Sequence, residues 1–299
     1  MNAPTEDFVL NAAQRAEVIT GLNQILPAHA VLHEVEDTKP YECDGLSLFR
    51  QLPMVVALPE TEEQVIQILK LANRLNVPVV ARGAGTGLSG GAQPHKHGIL
   101  LGMAKFNKIL KVDVQSRSAV VQPGVRNLAI SEAVAQHQLY YAPDPSSQIA
   151  CTIGGNVAEN SGGVHCLKYG LTVHNVLKVR AITIEGEVVE FGSEAPDAPG
   201  LELLNLVIGS EGMLAVVTEV TVKLVPKPRV ARCVLAAFDD VRRAGQAVDR
   251  RRVERETSIG RGRRQLARRS PIYRWRPPQT LKKHLPQRTG VSSCGAQPT

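Results

Sequence analysis

Aromatic residues are scarce in this chain. Phe, Trp and Tyr together make up 4% of its 299 residues, with a single Trp. A core built from this sequence must therefore be aliphatic, and the 43% of hydrophobic residues is enough for a sizeable one. Paired cysteines are missing too. Cys43, Cys151, Cys166, Cys233 and Cys294 form neither a CxxC pair nor a metal-ligand spacing. That pattern argues against a disulfide framework and reads as reduced thiols in a cytoplasmic protein. No apolar run approaches the roughly 20 residues that span a bilayer. The first ten residues carry acids and no apolar stretch, so a secretory signal is not expected. Excess positive charge is absent from most of the chain. The net charge of +7 comes from residues 249–299, which hold 14 Arg and Lys against 3 Asp and Glu, whereas residues 1–248 hold 21 against 25. The body therefore has no nucleic-acid footprint.

Residues 11–25 place Ala13, Val18, Ile19, Leu22 and Ile25 at helical spacing and stop at Pro27. Residues 36–50 are polar and loop-like. A strand over 54–58, a helix capped by Thr61 that buries Val65, Ile68, Leu69 and Ala72, and a strand over 77–81 follow. Short strands are expected at 99–103, 109–114 and 119–122, with a helix over 125–137. The segments 176–184 and 188–191 read as a hairpin around Glu185-Gly186. Residues 214–224 alternate as a half-buried strand that Pro226 and Pro228 end. A strand over 230–237 and a helix over 241–248 look like the opening of a further domain.

Three glycine-rich elements punctuate this pattern. Arg82 to Gly91 carries five glycines in ten residues after a buried strand. Such a loop turns successive backbone N–H groups inward, which suits a diphosphate, with Thr86 and Ser89 as added donors. It is not a Rossmann fingerprint, because Gln93-Pro94-His95 cannot open the long helix that motif demands. The second element runs from Pro143 to Gly163. Gly154-Gly155 and Gly162-Gly163 bracket small residues against which a flat ring can pack, and Asn156, Asn160 and Ser161 offer polar contacts. The third is Ile208-Gly-Ser-Glu-Gly212. Each has a plain structural alternative as a flexible loop or tight turn.

In order and wording the three elements resemble the FAD-linked oxidases of the vanillyl-alcohol oxidase or PCMH type. RGAGTGLSGGA from Arg82, VQPGV from Val121, PDPSSQIACTIGGNVAENSGG from Pro143, LKYG from Leu167 and IGSEGMLAVVTEVTVKL from Ile208 carry the likeness. They point to the branch that holds the flavin-binding subunit of glycolate oxidase, near D-lactate and D-2-hydroxyglutarate dehydrogenases. The resemblance implies an α+β fold in which two α/β subdomains sandwich FAD. It implies that Gly83, Gly85, Thr86, Gly87 and Leu88 hold the pyrophosphate. Pro143, Asp144, Gly154, Gly155, Asn160 and Gly162 would lie along the flavin, and Glu211, Gly212 and Val217 would close the far side. No covalent tether is expected in this branch, and His95, His97 and His165 read as surface or packing histidines. The implied activity is oxidation of a small 2-hydroxy acid to a 2-oxo acid. Other glycolate oxidase subunits, an iron–sulfur subunit among them, are the implied partners, and through them attachment to the inner membrane.

The resemblance implies a domain order of a helical segment at 1–50, the FAD-binding domain at 51–228 and the start of a cap domain at 229–248. In that family the Arg and Lys that hold the substrate carboxylate, the metal-binding histidines and the acid–base histidine belong to the cap. Here the likeness stops near Val248, so no catalytic or metal-binding residue is assigned and the chain is expected to bind FAD without completing the active site. Residues 249–299 hold twelve of their 14 basic residues as Arg, among Pro, Gln and Ser. They read either as out-of-frame translation of a GC-rich gene or as a disordered basic tail. Tail aromatics are limited to Tyr273 and Trp275, so no nucleic-acid partner is expected.

Overall fold

The structure is a computed structural model that describes residues 9–194, 200–229 and 236–260, with side chains as far as residue 250. It divides into two compact units, Met1–Val230 and Ala231–Thr299. In the second unit helix α8, Val241–Gly260, runs past the expected end at Val248. Most of the strand expected at 230–237 falls outside the described residues.

The first unit contains two sheets. One is four-stranded in the order β1 (Val31–Leu32), β2 (Val55–Ala57), β4 (Ile99–Gly102), β3 (Val79–Arg82). The β2–β4 and β3–β4 pairs are parallel and β1–β2 is antiparallel, so the segment before residue 50 is built into this sheet. Helices α1 (Ala12–Ile25) and α3 (Glu62–Arg74) bury their apolar residues in the same core as this sheet, while α2 (Val35–Thr38) is a single turn. Thr61 caps α3 as expected: its hydroxyl accepts from Gln64 N–H, and the Gln64 side chain reaches back to the Thr61 N–H. The buried residues of α3 are Val65, Ile68, Leu69, Leu71 and Ala72.

The second sheet is antiparallel, in the order β5 (Ile109–Asp113), β6 (Ser118–Val121), β10 (Val216–Pro226), β8 (Val176–Ile182), β9 (Val188–Gly192), with β7 (Leu139–Tyr141) also paired to β10. The β8–β9 hairpin turns where expected, with Gly186 at a φ of +79°. Helices α4 (Asn127–Val134) and α5 (Ile153–Glu159) contribute Ile130, Val134, Ile153 and Val157 to the core of this sheet. Two shorter helices, α6 (Cys166–Tyr169) and α7 (Leu204–Val207), complete the unit.

A polar clamp joins the two subdomains. Arg180 on β8 donates to both oxygens of Glu62, at 3.0 and 2.8 Å, and the Thr218 hydroxyl donates to the same carboxylate at 2.9 Å. The Arg180 hydrogen bond holds the Glu62 pKa below its ordinary value, against the opposing effect of burial. A carboxylate with a depressed folded-state pKa contributes stability above its unfolded value of about 4.3, and loses it as pH falls through the folded value. Solvent still reaches both side chains, so the expected effect is modest. Arg180→Met should cost about 1–2 kcal/mol at pH 7 in denaturant unfolding. The gap between variant and wild type should narrow steadily as pH falls below about 4.3, and a gap unchanged by acid would show that packing rather than charge is responsible.

Candidate functional site

Two loops and a helix meet where β3 of the first sheet and the start of β10 of the second come together. They line a cleft with Gly83, Gly85, Thr86, Gly87 and Leu88 from the first glycine-rich element, Gly154 and Gly155 from the second, and Glu211, Gly212 and Val217 from the third. Ten of the fourteen expected residues are therefore brought together. The enclosed part is about 290 Å³, so a dinucleotide would extend beyond it along open surface.

Among the described residues, no hydrogen bond within the protein uses the backbone N–H groups from Gly83 to Ser89. This row of donors is what a diphosphate requires. Gly85 sits at a φ of +66° directly over the Arg82 guanidinium. Arg82 is 8% exposed and is pinned by donating to the carbonyls of Cys43 at 2.9 Å and Ala92 at 3.2 Å. Burial pulls its pKa below the ordinary value, and Asp44 is the main opposing influence. Asp44 also accepts from Gly90 N–H at 3.1 Å. The loop is thus held from below by residues 43–44, a stretch that sequence alone presents as featureless.

The second element is not a bare turn. It contains helix α5, with Gly154 and Gly155 in its first turn. Gly154 is required because a Cβ there would lie 2.6 Å from Pro123 Cβ. Thr152 precedes the helix and is 6% exposed. Among the described residues its hydroxyl has no hydrogen-bond partner, and a Cβ on Gly83 would land on it. A buried, unpaired hydroxyl is costly unless something else satisfies it. Here it packs against Gly83, at the start of a loop whose N–H groups have no partner within the protein among the described residues, so the residues present fit a bound diphosphate group.

The third element docks on the end of α5. Gly209 and Glu211 N–H groups donate to the carbonyls of Val157 and Ala158 in the last turn of the helix. Glu159 lines the cleft beside Glu211 and accepts from the Ser89 hydroxyl at 2.8 Å.

Four expected residues do not line the cleft. The Pro143 carbonyl accepts from Asn127, which in turn accepts from Asn156. Asp144 holds His165, accepting from its N–H at 3.1 Å and pairing with Nδ1 at 2.6 Å. Asn160 ends α5 in a left-handed conformation and accepts from Val173 N–H. A Cβ on Gly162 would come within 2.7 Å of Leu171. Each thus shapes the chain beside the cleft. Arg82, Asp44 and Thr152 are site-building residues that sequence reasoning misses. The one available signal is an Arg at the head of a glycine loop directly after a strand.

Residues 53–192 match the FAD binding domain family. This stretch is an FAD-binding domain of the PCMH type. It is 61% identical over 242 residues to the glycolate oxidase subunit GlcD of Escherichia coli K12, covering 81% of this chain and 48% of that protein. It is 42% identical over 176 residues to a D-lactate dehydrogenase of Archaeoglobus fulgidus, covering 58% and 39%. Among solved structures it resembles an alkyldihydroxyacetonephosphate synthase with a TM-score of 0.69 at 20% identity, covering 87% of this chain and 51% of that one. The chain spans about half the length of the curated relatives it matches. FAD is the cofactor of this domain family, and the α+β fold of two subdomains expected from the sequence is the fold observed. Among the described residues no helix is long and apolar enough to cross a membrane, and no group of three or more His, Cys, Asp or Glu is placed to hold a metal.

Proposed function

We propose that this chain is the FAD-binding part of an enzyme that oxidises a small 2-hydroxy acid to a 2-oxo acid. The observation that carries the reading is the row of loop N–H groups from Gly83 to Ser89 without a partner among the described residues, lining one cleft with the glycines of α5, in a chain that resembles a glycolate oxidase subunit and D-lactate dehydrogenases. In this reading Gly83, Gly85, Thr86 and Gly87 bind the pyrophosphate, with Leu88 at the rim. Gly154 and Gly155 let the cofactor lie against α5, and Gly212 and Val217 cover it from the β10 side. Carboxylates accept hydrogen bonds, so Glu211 and its neighbour Glu159 suit ribose hydroxyls rather than phosphate. Pro143, Asp144, Asn160 and Gly162 support the segment that borders the flavin. When bound, FAD supplies a two-electron acceptor for the substrate. The same reading gives the chain partner subunits of the glycolate oxidase kind, including one with an iron–sulfur cluster, and a cytoplasmic place at the inner membrane through them.

Acid denaturation of the purified, FAD-loaded protein is the direct test. Flavin is expected in the supernatant, because the contacts are noncovalent. Flavin that stayed with the pellet would point to a tether, and failure of the folded chain to take up added FAD would overturn the reading.

A further inference from the structure

A second cavity of about 470 Å³ lies in the first unit, and it shares no lining residue with the FAD cleft. Besides the neutral Asn11, Ala12, Thr38 and Gln51, its wall has two characters. Arg15 from α1, His33 after β1, and Lys96 and His97 from the loop before β4 supply positive or protonatable groups. Leu10, Val35, Leu52, Pro53 and Met54 supply an apolar surface. No carboxylate lines it. Glu34 pairs with His33 Nδ1 at 3.1 Å from outside the lining. Arg15 makes one long hydrogen bond, 3.3 Å to the His33 carbonyl, which leaves most of its donors available. His97 titrates below its ordinary value, first through partial desolvation and then through Lys96 and His95, the mark of positive potential without a compensating acid. An exposed cluster of this kind repels itself unless an anion offsets it. A purely inorganic anion would use the cationic rim and leave the apolar wall wet.

We propose that this cavity is a binding site for an organic anion, one charged oxyanion headgroup carried on an apolar body. The headgroup sits among Arg15, Lys96, His33 and His97, and the body covers Leu10, Val35 and Leu52. Such a ligand comes either as a free amphiphile or as the headgroup region of an anionic lipid surface. The site is independent of the FAD cleft and does not depend on the reaction proposed above.

The probe is octyl phosphate, titrated by calorimetry into the FAD-loaded chain. One saturable site is expected, with inorganic phosphate and octanol each at least tenfold weaker. The double variant Arg15→Gln, Lys96→Gln changes two exposed side chains and should weaken octyl phosphate binding at least tenfold with flavin content unchanged. A second arm follows co-sedimentation with phosphatidylglycerol vesicles. Sedimentation that the double variant loses identifies a lipid surface as the source, and octyl phosphate binding without sedimentation identifies a free amphiphile. Absence of saturable octyl phosphate binding, equal binding by the double variant, or release of flavin on binding would each overturn the assignment.

Discussion

Gly85→Val is expected to weaken FAD binding at least a hundredfold. At a φ of +66° a β-branched residue is strained, by about 1–3 kcal/mol. Its Cβ would also land on the Arg82 guanidinium, which buried contacts to Cys43 and Ala92 hold in place. The loop can relieve that clash only by moving its N–H groups, and those groups are the proposed pyrophosphate donors. Gly90→Ala provides the control. Gly90 has a φ of +82°, yet nothing lies within 4 Å of a Cβ there, so it tests backbone strain without the clash. Gly83→Ala provides the converse, since its Cβ would meet the Thr152 hydroxyl without any left-handed φ. Flavin fluorescence titration should rank Gly85→Val and Gly83→Ala far below Gly90→Ala. Equal losses in all three would show that loop geometry, not access to the donors, governs binding.

Ile182→Ala should be the more damaging change to the fold. Ile182 belongs to β8 of the second sheet but is fully buried in the core of the first, beside Val216. It therefore packs both subdomains at once, a few residues from the Glu62–Arg180 clamp. Truncation of a buried Ile of this kind costs about 2–5 kcal/mol, and for a domain of this size each kcal/mol lowers Tm by roughly 2–4 °C. Scanning calorimetry should show a drop of about 10 °C. A single sharp transition at the wild-type temperature would mean that the subdomains are held together by something other than this contact.

How far the sequence can be read depends on whether each signal is local. The Thr61 cap, the amphipathic α3 and the Gly186 turn are written in consecutive residues, and the structure places them where they are expected. Helix α5 escapes a local reading because Gly154-Gly155 argues against helix on propensity. Gly154 is fixed instead by contact with Pro123, some thirty residues earlier. Strand β7 escapes it because three residues carry no period, and its existence depends on pairing with β10. The roles of Asp44 and Arg82 are likewise non-local, since each reads as an ordinary charged residue until the chain brings Cys43, Asp44 and the glycine loop together. Ten of the fourteen candidate residues converge on one cleft because motif wording singles them out. The four that do not are held by local demands, a hydrogen bond or a left-handed φ at Asn160 and a close contact at Gly162 among them.

Strand β10 sets a timetable for the growing polypeptide. Its residues pair with β6, β7 and β8, matching Val220 with both Val121 and Val179, and Leu224 with Tyr141. Three strands made much earlier on the ribosome thus wait for one made late, and until Pro226 has emerged from the exit tunnel they present open edges. Sheets closed by such distant partners form slowly, and exposed edges in the interval invite association between nascent chains. The first sheet, whose strands are complete by Gly102, has no such delay. Translation speed across residues 122–226 should therefore influence how much of this protein reaches its folded state without chaperone help.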